Sequence, residues 1–256
     1  MDEHNYPILE YDASPDAMIE PSRLLSPIDI PRHCVLCYFQ DVITGLRDQG
    51  RLQQIYPLGS EMGPNPVYAL EVDGQPLTLM HPGVGAPLSG GFMDELIALG
   101  CRTFIACGGA GVLDHALVVG HLVVPVSAVR DEGTSYHYLP PSREVAPSPE
   151  AVVAIEATLQ RHQIPYVIGK TWTTDGLYRE TVSRVARRRA EGCLTVEMEA
   201  AALFAVGRFR GVTIGQILYS GDDLSGEEWD GREWRDRPPI RERLFWLAAE
   251  ACLSLV

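Results

Sequence analysis

Short apolar runs alternate with helix-forming segments along most of the chain, and this alternation limits the fold more than any other feature. Runs such as CVLCYF, TFIACGG and VTIGQILYS have the length and composition of buried strands. Strands that alternate with helices are typical of an α/β protein whose sheet is largely buried. We therefore predict one α/β domain over residues 33–256, with the Pro- and Asp-rich residues 1–32 forming an arm packed on it.

Local sequence also predicts several helix ends. One helical pattern stops at Gly100, a residue type that commonly terminates helices. A second pattern begins with Ser148 as the N-cap and Pro149 at the first helical position. The last helix is predicted from about Pro239 to Leu255.

Charge and hydropathy argue against two classes of partner. The chain has 34 acidic and 21 basic residues, a formal net charge of −13, whereas nucleic-acid binding needs a basic face. The arginine-rich run at residues 184–189 is interpreted as the solvated side of a helix. No apolar run approaches the roughly 20 residues that cross a bilayer, and residues 1–12 do not form a secretory signal. We expect a cytoplasmic protein that binds neither nucleic acid nor membrane.

The six cysteines lack the spacing of a disulfide framework, so we expect reduced and buried thiols. Cys34 and Cys37 have CxxC spacing, but they lie in an apolar run, and no second Cys or His pair stands nearby to complete a zinc site. We interpret both as core residues and expect no metal site.

Two carboxylates, Glu197 and Glu199, flank Met198 immediately before an apolar segment that predicts a buried helix. Residues i and i+2 project to the same side only in extended backbone. At a strand-to-helix junction, one carboxylate can therefore face a ligand while the other makes structural bonds. The alternative is that both acids stabilise the positive end of the helix dipole.

Glycines cluster in HPGVGAPLSGGF (residues 81–92) and ACGGAGVL (residues 106–113), each close to the end of a predicted strand. Glycine permits close approach of backbone to a ligand, and N–H groups at a helix start suit an anion. Neither segment has dinucleotide-binding or Walker spacing. Tight turns are the alternative interpretation of both.

The motifs GVGAP, DELIALG, GGAG, RDEGTSYHY, VEMEAA and LYSGDDL follow one another in an order that resembles the nucleoside phosphorylase superfamily over roughly residues 33–252. The resemblance implies a single three-layer α/β domain with a central mixed, partly barrel-like β-sheet flanked by helices. It also implies a homo-oligomer, whether dimer, trimer or hexamer, that cleaves the N-glycosidic bond of a nucleoside. Members use phosphate or water as the nucleophile and need no other cofactor.

By this resemblance, Glu199 would bind the ribose hydroxyls and Met198 would pack on the sugar or base. Asp222, with Asp223 as the near alternative, falls where purine-acting members place the acid that protonates the leaving base, so a purine is the preferred substrate. Burial can raise the pKa of such a carboxyl enough for proton donation at neutral pH. A simple turn is the alternative interpretation of the Ser-Gly-Asp-Asp sequence.

Further candidates come from the same resemblance, which assigns Glu197, Gly108 and Gly109 to substrate binding. The segment TWTTDGLYRE matches the region that lines the base, and it contributes the candidates Trp172, Leu177, Tyr178 and Arg179. The aromatic residues could instead fill the core. The acidic, aromatic loop at residues 225–239 is interpreted as either a lid or a subunit contact.

The chain departs from the family where phosphorylases bind phosphate. Their first loop has a Gly-Asp-Pro-x-Arg pattern and their later strand carries an Arg, whereas this chain has CYFQDVITGL and Ala106. A buried phosphate without a guanidinium would be poorly compensated. Asp41 lies near the position of the water-activating acid of hydrolytic members, and the alternative is a helix N-cap.

Inorganic phosphate stays open as a co-substrate, because Arg179 or an arginine of a neighbouring subunit could rebuild the anion site. A rival of another class is a catalytically silent nucleoside-binding or regulatory protein of the same fold.

Overall fold

The computed structural model of the chain describes residues 4–234 and 237–256. Within them lie ten β-strands: β1 (His33–Cys37), β2 (Gln53–Ser60), β3 (Gly63–Val72), β4 (Gln75–Met80), β5 (Thr103–Val112), β6 (Leu122–Asp131), β7 (Glu144–Val145), β8 (Tyr166–Thr174), β9 (Cys193–Glu197) and β10 (Thr213–Asp223). The same residues form eight α-helices: α1 (Pro21–Leu24), α2 (Gln40–Asp48), α3 (Ala86–Leu99), α4 (Ser135–Tyr138), α5 (Pro149–Arg161), α6 (Val182–Ala190), α7 (Ala200–Arg210) and α8 (Pro238–Leu253). Short 3-10 turns occur at Pro7–Leu9 and Leu177–Arg179.

All of these strands belong to one mixed sheet. Its order is β10-β6-β8-β9-β5-β1-β4-β3-β2, and β7 pairs with β6. An additional parallel pairing of β10 with β5 closes β10, β6, β8, β9 and β5 into a barrel-like unit. The predicted mixed, partly barrel-like α/β fold is therefore confirmed.

Helices cover both faces of the sheet and give the domain its three layers. Helices α5 and α8 pack on one face, and their core includes Ile155, Phe245 and Ile217. Helices α3 and α7 pack on the other face, with Leu96 and Phe204 in the core. Because strands such as β1 and β5 are buried on both sides, their sequences are continuous apolar runs.

The predicted helix ends agree with the structure to within two residues. Gly100 follows α3 with φ of +136°, a region that side-chain-bearing residues rarely adopt, so this position favours glycine. Ser148 is the N-cap of α5, but its Oγ accepts the N–H of Ile214 at 3.0 Å instead of capping the helix. The last helix begins at Pro238 and ends at Leu253.

The sequence did not predict strands β2, β7 and β9. Strand β2 lies at the sheet edge, is mostly exposed and contains Pro57, so it lacks an apolar run. Strands β7 and β9 are only two and five residues long. Short or exposed strands carry little periodic signal of their own.

All six cysteines are buried free thiols, as predicted.

The interpretation of the arginine run as a solvated helix side is wrong for one residue. Arg188 is 7% exposed, and its guanidinium contacts Asp131 at 2.9 Å and Glu191 at 3.1 Å. Arg187 on the same helix is exposed.

The segment before β1 lies against α3 and α7. Glu20 is 5% exposed and lies 3.2 Å from Arg210, which also contacts Asp94 at 2.7 Å. The N–H of Ile28 donates to the carbonyl of Leu99 at 3.0 Å. Residues 1–3 of the predicted arm lie outside the described residues. No described helix combines the length and apolarity that a membrane span requires.

Candidate functional site

The topology brings the sequence motifs to one edge of the sheet. Strands β1, β4, β5 and β10 are linked by parallel pairings, so their carboxyl ends meet at that edge. Strand β9 runs antiparallel to β5 and pairs Val196 with Gly111, which brings Glu197 to the same place. The glycine segments, the two glutamates and the aspartates of β10 are thus neighbours in space although they are distant in sequence.

Glu197 is the member of the glutamate pair that makes structural bonds. Its Oε2 accepts the N–H groups of Glu199 at 2.7 Å and Ala200 at 2.6 Å, and its Oε1 accepts the hydroxyl of Thr173 at 2.6 Å. These bonds satisfy N–H groups at the start of α7 that have no partner within the helix. The carboxylate of Glu197 therefore fixes the strand-to-helix junction. Its role in substrate binding stays a prediction.

Glu199 joins this junction to the GVGAP segment. Its Oε1 accepts the N–H of Gly85 at 2.6 Å, and its Oε2 lies 3.3 Å from the N–H of Met198. Next to it, the Tyr38 hydroxyl donates to Ser89 Oγ at 3.0 Å, and Ser89 Oγ donates to the Gly83 carbonyl at 3.2 Å. These bonds fix the carboxylate of Glu199 against the start of α3.

Burial changes the proton affinity of both glutamates. Burial and the nearby charge of Glu197 raise the pKa of Glu199 to about 8. Burial raises the pKa of Glu197 to about 7, although its three hydrogen bonds oppose the increase. Two carboxyls this close cannot both ionise easily in a buried site. The pair therefore retains a proton near neutral pH.

This pair should make stability depend on pH. Between the ordinary pKa of 4.5 and the raised values near 7 and 8, the folded chain binds more protons than the unfolded chain. The free energy of unfolding should therefore fall as pH rises through this window, by up to ~1.4 kcal/mol per pH unit for each titrating group. Urea unfolding between pH 5 and 8 measures this slope, and Glu199→Gln should reduce it. Equal slopes for the wild type and the variant would contradict the assignment.

Asp222, at the end of β10, and Glu180 are two further acidic residues of this region. The indole N–H of Trp229 donates to Asp222 Oδ2 at 2.7 Å. Glu180, between β8 and α6, is partly buried, and burial together with the charge of Asp222 raises its pKa to about 7. Glu180 is a candidate that sequence reasoning missed. Its only signal was its place at the end of the TWTTDGLYRE segment.

The neighbouring Asp223 has a different environment. It is 4% exposed, and its carboxylate accepts the N–H of Ser225 at 2.7 Å and contacts His115 Nδ1 at 3.0 Å. Arg232 also pairs with it. These contacts hold the loop that follows β10, so of the two aspartates Asp222 is the better placed for substrate. A direct substrate contact of Asp223 stays a prediction.

Gly108 and Gly109 each leave space that an aromatic side chain of this protein occupies. A Cβ at Gly108 would lie 3.3 Å from the ring of Tyr38, and one at Gly109 would lie 3.0 Å from the ring of Tyr219. Part of the space that glycine opens here is therefore filled by these two rings. The remaining role of Gly108 and Gly109 in binding substrate stays a prediction.

Asp41 forms an ion pair that the sequence did not reveal. Helix α2 begins at Gln40 with Phe39 as its N-cap, so the interpretation of Asp41 as an N-cap is wrong. Its Oδ1 lies 3.1 Å from the guanidinium of Arg241, on α8. The Arg241 side chain is 14% exposed, against 39% for Asp41, and it also lies 3.4 Å from the Tyr219 hydroxyl. Asp41 and Arg241 thus compensate each other's charge.

The segment predicted to line the base has one buried residue among its candidates and three exposed ones. Trp172 is fully buried and its indole N–H donates to Asp131 at 2.9 Å, so it is a core residue and cannot stack on a ligand. Leu177 is 50% and Tyr178 is 93% exposed, and Arg179 is also exposed. Met198, between the two glutamates, is partly buried. Substrate contacts of these four residues stay predictions.

No grouping of three or more His, Cys, Asp or Glu side chains suited to hold a metal ion occurs within residues 4–234 and 237–256. The carboxylates of the site instead accept hydrogen bonds from backbone, hydroxyl and indole groups. Such an arrangement can bind hydroxyl groups and exchange protons with a bound molecule.

Comparison with curated proteins finds several related phosphorylases. A guanosine phosphorylase of Halorubrum lacusprofundi is 28% identical over 77% of this chain and 84% of its own length. A uridine phosphorylase of Treponema pallidum is 30% identical over 56% of this chain and 60% of its own length.

Solved structures show the same fold. An AMP nucleosidase from Bacteroides thetaiotaomicron aligns with a TM-score of 0.71 at 23% identity, covering 89% of this chain and 90% of its own. A purine nucleoside phosphorylase from Toxoplasma gondii in complex with immucillin-H aligns with a TM-score of 0.76 at 19% identity, covering 88% and 91%.

The family described as the phosphorylase superfamily matches residues 32–241. This range includes the glycine segments, both glutamates and both aspartates discussed above. Because the match spans most of the sequence, the chain belongs to the phosphorylase superfamily.

Proposed function

We propose that this protein hydrolyses the N-glycosidic bond of a purine nucleoside. The observation that carries the proposal is the place of Asp222 at the end of β10, where Trp229 contacts its carboxylate and where burial and the charge of Asp222 raise the pKa of Glu180 to about 7. A group with this pKa can donate a proton at neutral pH and recover it afterwards. Binding alone would not require such a donor, which favours an enzyme over a silent binding protein.

Cleavage of the bond develops positive charge on the sugar and negative charge on the leaving base. In our proposal the carbon–nitrogen bond breaks with its electron pair leaving on the base. The Asp222 and Glu180 pair then donates a proton to that base. Glu199 binds the ribose hydroxyls, and the negative charge that the glutamate pair retains stabilises the cationic sugar. The oxygen of water adds to the sugar carbon while Asp41 takes up the proton of that water.

The proposed preference for purines rests on Asp222. The resemblance assigns this position to the acid that protonates a purine, and a protonated carboxyl can donate to an acceptor nitrogen of the ring. One curated relative is named a guanosine phosphorylase, whereas others are uridine phosphorylases. The identity of the base is therefore a matter for the substrate panel described in the Discussion.

The choice of water as nucleophile rests on the charges of the segments with which phosphorylases bind phosphate. By the resemblance, the fully buried Ala106 stands where they carry an arginine, and the first loop, CYFQDVITGL, contains Asp41 and no arginine. Arg241 is close, but Asp41 already compensates its charge. A phosphate dianion would have to displace that carboxylate or lie beside it, which Coulomb repulsion opposes.

Phosphorolysis is the second candidate. The names of the curated relatives favour it, and Arg241 offers a guanidinium that could turn from Asp41 to phosphate. The resemblance further leads us to propose a homo-oligomer that works in the cytoplasm.

The sugar product distinguishes the two nucleophiles. We expect free ribose as the product, at a rate that added phosphate changes by less than about twofold, because no unpaired guanidinium is proposed to bind it. Chromatography of the sugar after reaction with and without phosphate measures this. Formation of ribose 1-phosphate only when phosphate is present would overturn hydrolysis.

Replacement of Arg241 by Gln separates the two cases further. If water is the nucleophile, kcat should change by no more than about fivefold, because the variant removes only a partly exposed ion pair. If Arg241 holds phosphate, kcat/KM for phosphate should fall on the order of a hundredfold. Arg161→Gln is the control. It removes another arginine–carboxylate ion pair, which Arg161 at the carboxyl end of α5 forms with Glu250 of α8.

A further inference from the structure

Trp229 contacts Asp222 from a loop that the proposed mechanism does not use. Its indole N–H donates to Asp222 Oδ2 at 2.7 Å, although the tryptophan side chain as a whole remains largely exposed. An indole N–H is a donor only, so the oxygen it contacts must act as an acceptor. The contact therefore distinguishes the two oxygens of the Asp222 carboxyl.

The loop is attached to the domain independently of this contact. Residues Asp223 and Asp230 exchange backbone hydrogen bonds of 2.8 and 3.0 Å. Arg232 donates to the Leu117 carbonyl at 2.7 Å and also pairs with Asp223. The Tyr219 hydroxyl donates to the Trp234 carbonyl at 2.9 Å. Loss of the indole N–H alone should therefore leave the loop in place.

The indole ring of Trp229 also packs against Gly231. A Cβ at Gly231 would lie 2.9 Å from the Cη2 atom of Trp229, so the ring packs directly over this glycine. Real Cβ atoms essentially never approach so closely, and an alanine here would push the ring away from its present position. Glycine at this position thus permits the packing that brings the N–H to Asp222.

We propose that Trp229 is a positioning residue, which fixes Asp222 so that Oδ2 is occupied and Oδ1 is the oxygen that meets the leaving base. Oδ1 lies 3.5 Å from the Cβ position of Gly111, on the side of β5, where the other site residues lie. The inference rests on the proposed function, because it assumes that Asp222 exchanges a proton with a substrate.

Trp229→Phe tests the proposal because it retains an aromatic ring but removes the N–H donor together with part of the ring volume. We expect kcat at pH 7 to fall about tenfold, the order expected for loss of one hydrogen bond to a charged group, with KM changed less than about threefold. A fall in kcat without a matching change in KM is the signature of a misplaced carboxyl, because the nucleoside still binds. Gly231→Ala, which displaces the indole, should lower kcat in the same way. Trp246→Phe, on α8 outside the site, is the control and should match the wild type.

The outcomes separate this inference from the proposed function. Wild-type kcat in Trp229→Phe, together with an inactive Asp222→Asn variant, would overturn the positioning role while the function stands. A higher kcat in Trp229→Phe would also overturn it, because the indole would then obstruct the substrate. Full activity of Asp222→Asn, or no base release by the wild type, would instead contradict the proposed function.

Discussion

Replacement of Asp222 by Asn should lower the rate of base release by about 10²–10⁴-fold, the range typical of a lost general acid. Asn keeps the size of the side chain and an oxygen that can accept the N–H of Trp229, so the loop contact should survive. It cannot supply the proton that the leaving base requires. Affinity for the nucleoside should therefore change little, which isothermal titration can measure beside single-turnover base release.

The control for this variant is Asp230→Asn. Asp230 lies on the same loop, its side chain is 69% exposed, and its Oδ1 accepts the N–H of Arg232 at 3.0 Å. This variant should retain activity within about twofold, as expected for an exposed surface site. If Asp222→Asn retained wild-type activity, Asp222 would not be the proton donor.

Glu199→Gln should lower kcat/KM for a ribonucleoside on the order of a hundredfold or more. Gln can still accept the N–H of Gly85, but its amide N–H₂ would oppose the N–H of Met198, and the carboxyl proposed to bind the ribose hydroxyls is lost. The discriminating measurement is kcat/KM for a ribonucleoside and its 2′-deoxy analogue.

A site built to bind the ribose hydroxyls should reject the deoxy analogue, because buried polar groups would lose their partner. The wild type should therefore prefer the ribonucleoside, and Glu199→Gln should reduce that preference. Glu156→Gln, on α5, is the control. If the variant preserved the wild-type ratio, Glu199 would have no direct role at the ribose.

The sequence predicted the fold because burial on both faces leaves a direct signal. The runs of β1, β5 and β10 are largely apolar and buried, and α7 is buried from Ala200 to Gly207. Local geometry similarly predicted that one of the two glutamates would make structural bonds, and Glu197 does so. Features determined by neighbouring residues in the chain were thus predictable.

Contacts between segments that are distant in the sequence could not be predicted. Asp41 and Arg241 are 200 residues apart, and the local sequence around either residue does not indicate that the two form an ion pair. Trp172 is of a residue type that often stacks on ligands, but here its indole N–H donates to Asp131 of the neighbouring strand β6. Glu180 and Trp229 became candidates only because the fold brings both to Asp222. Such placements depend on tertiary packing, which a single sequence does not encode locally.

The central claim is that the chain cleaves the N-glycosidic bond, and release of free base from a panel of purine and pyrimidine nucleosides tests it most directly. The wild type and Asp222→Asn would be assayed side by side, with and without phosphate. We expect release of a purine base by the wild type, without a requirement for phosphate, and its loss in the variant. No release from any nucleoside by the wild type, combined with nucleoside-induced thermal stabilisation, would contradict catalysis and identify a binding protein.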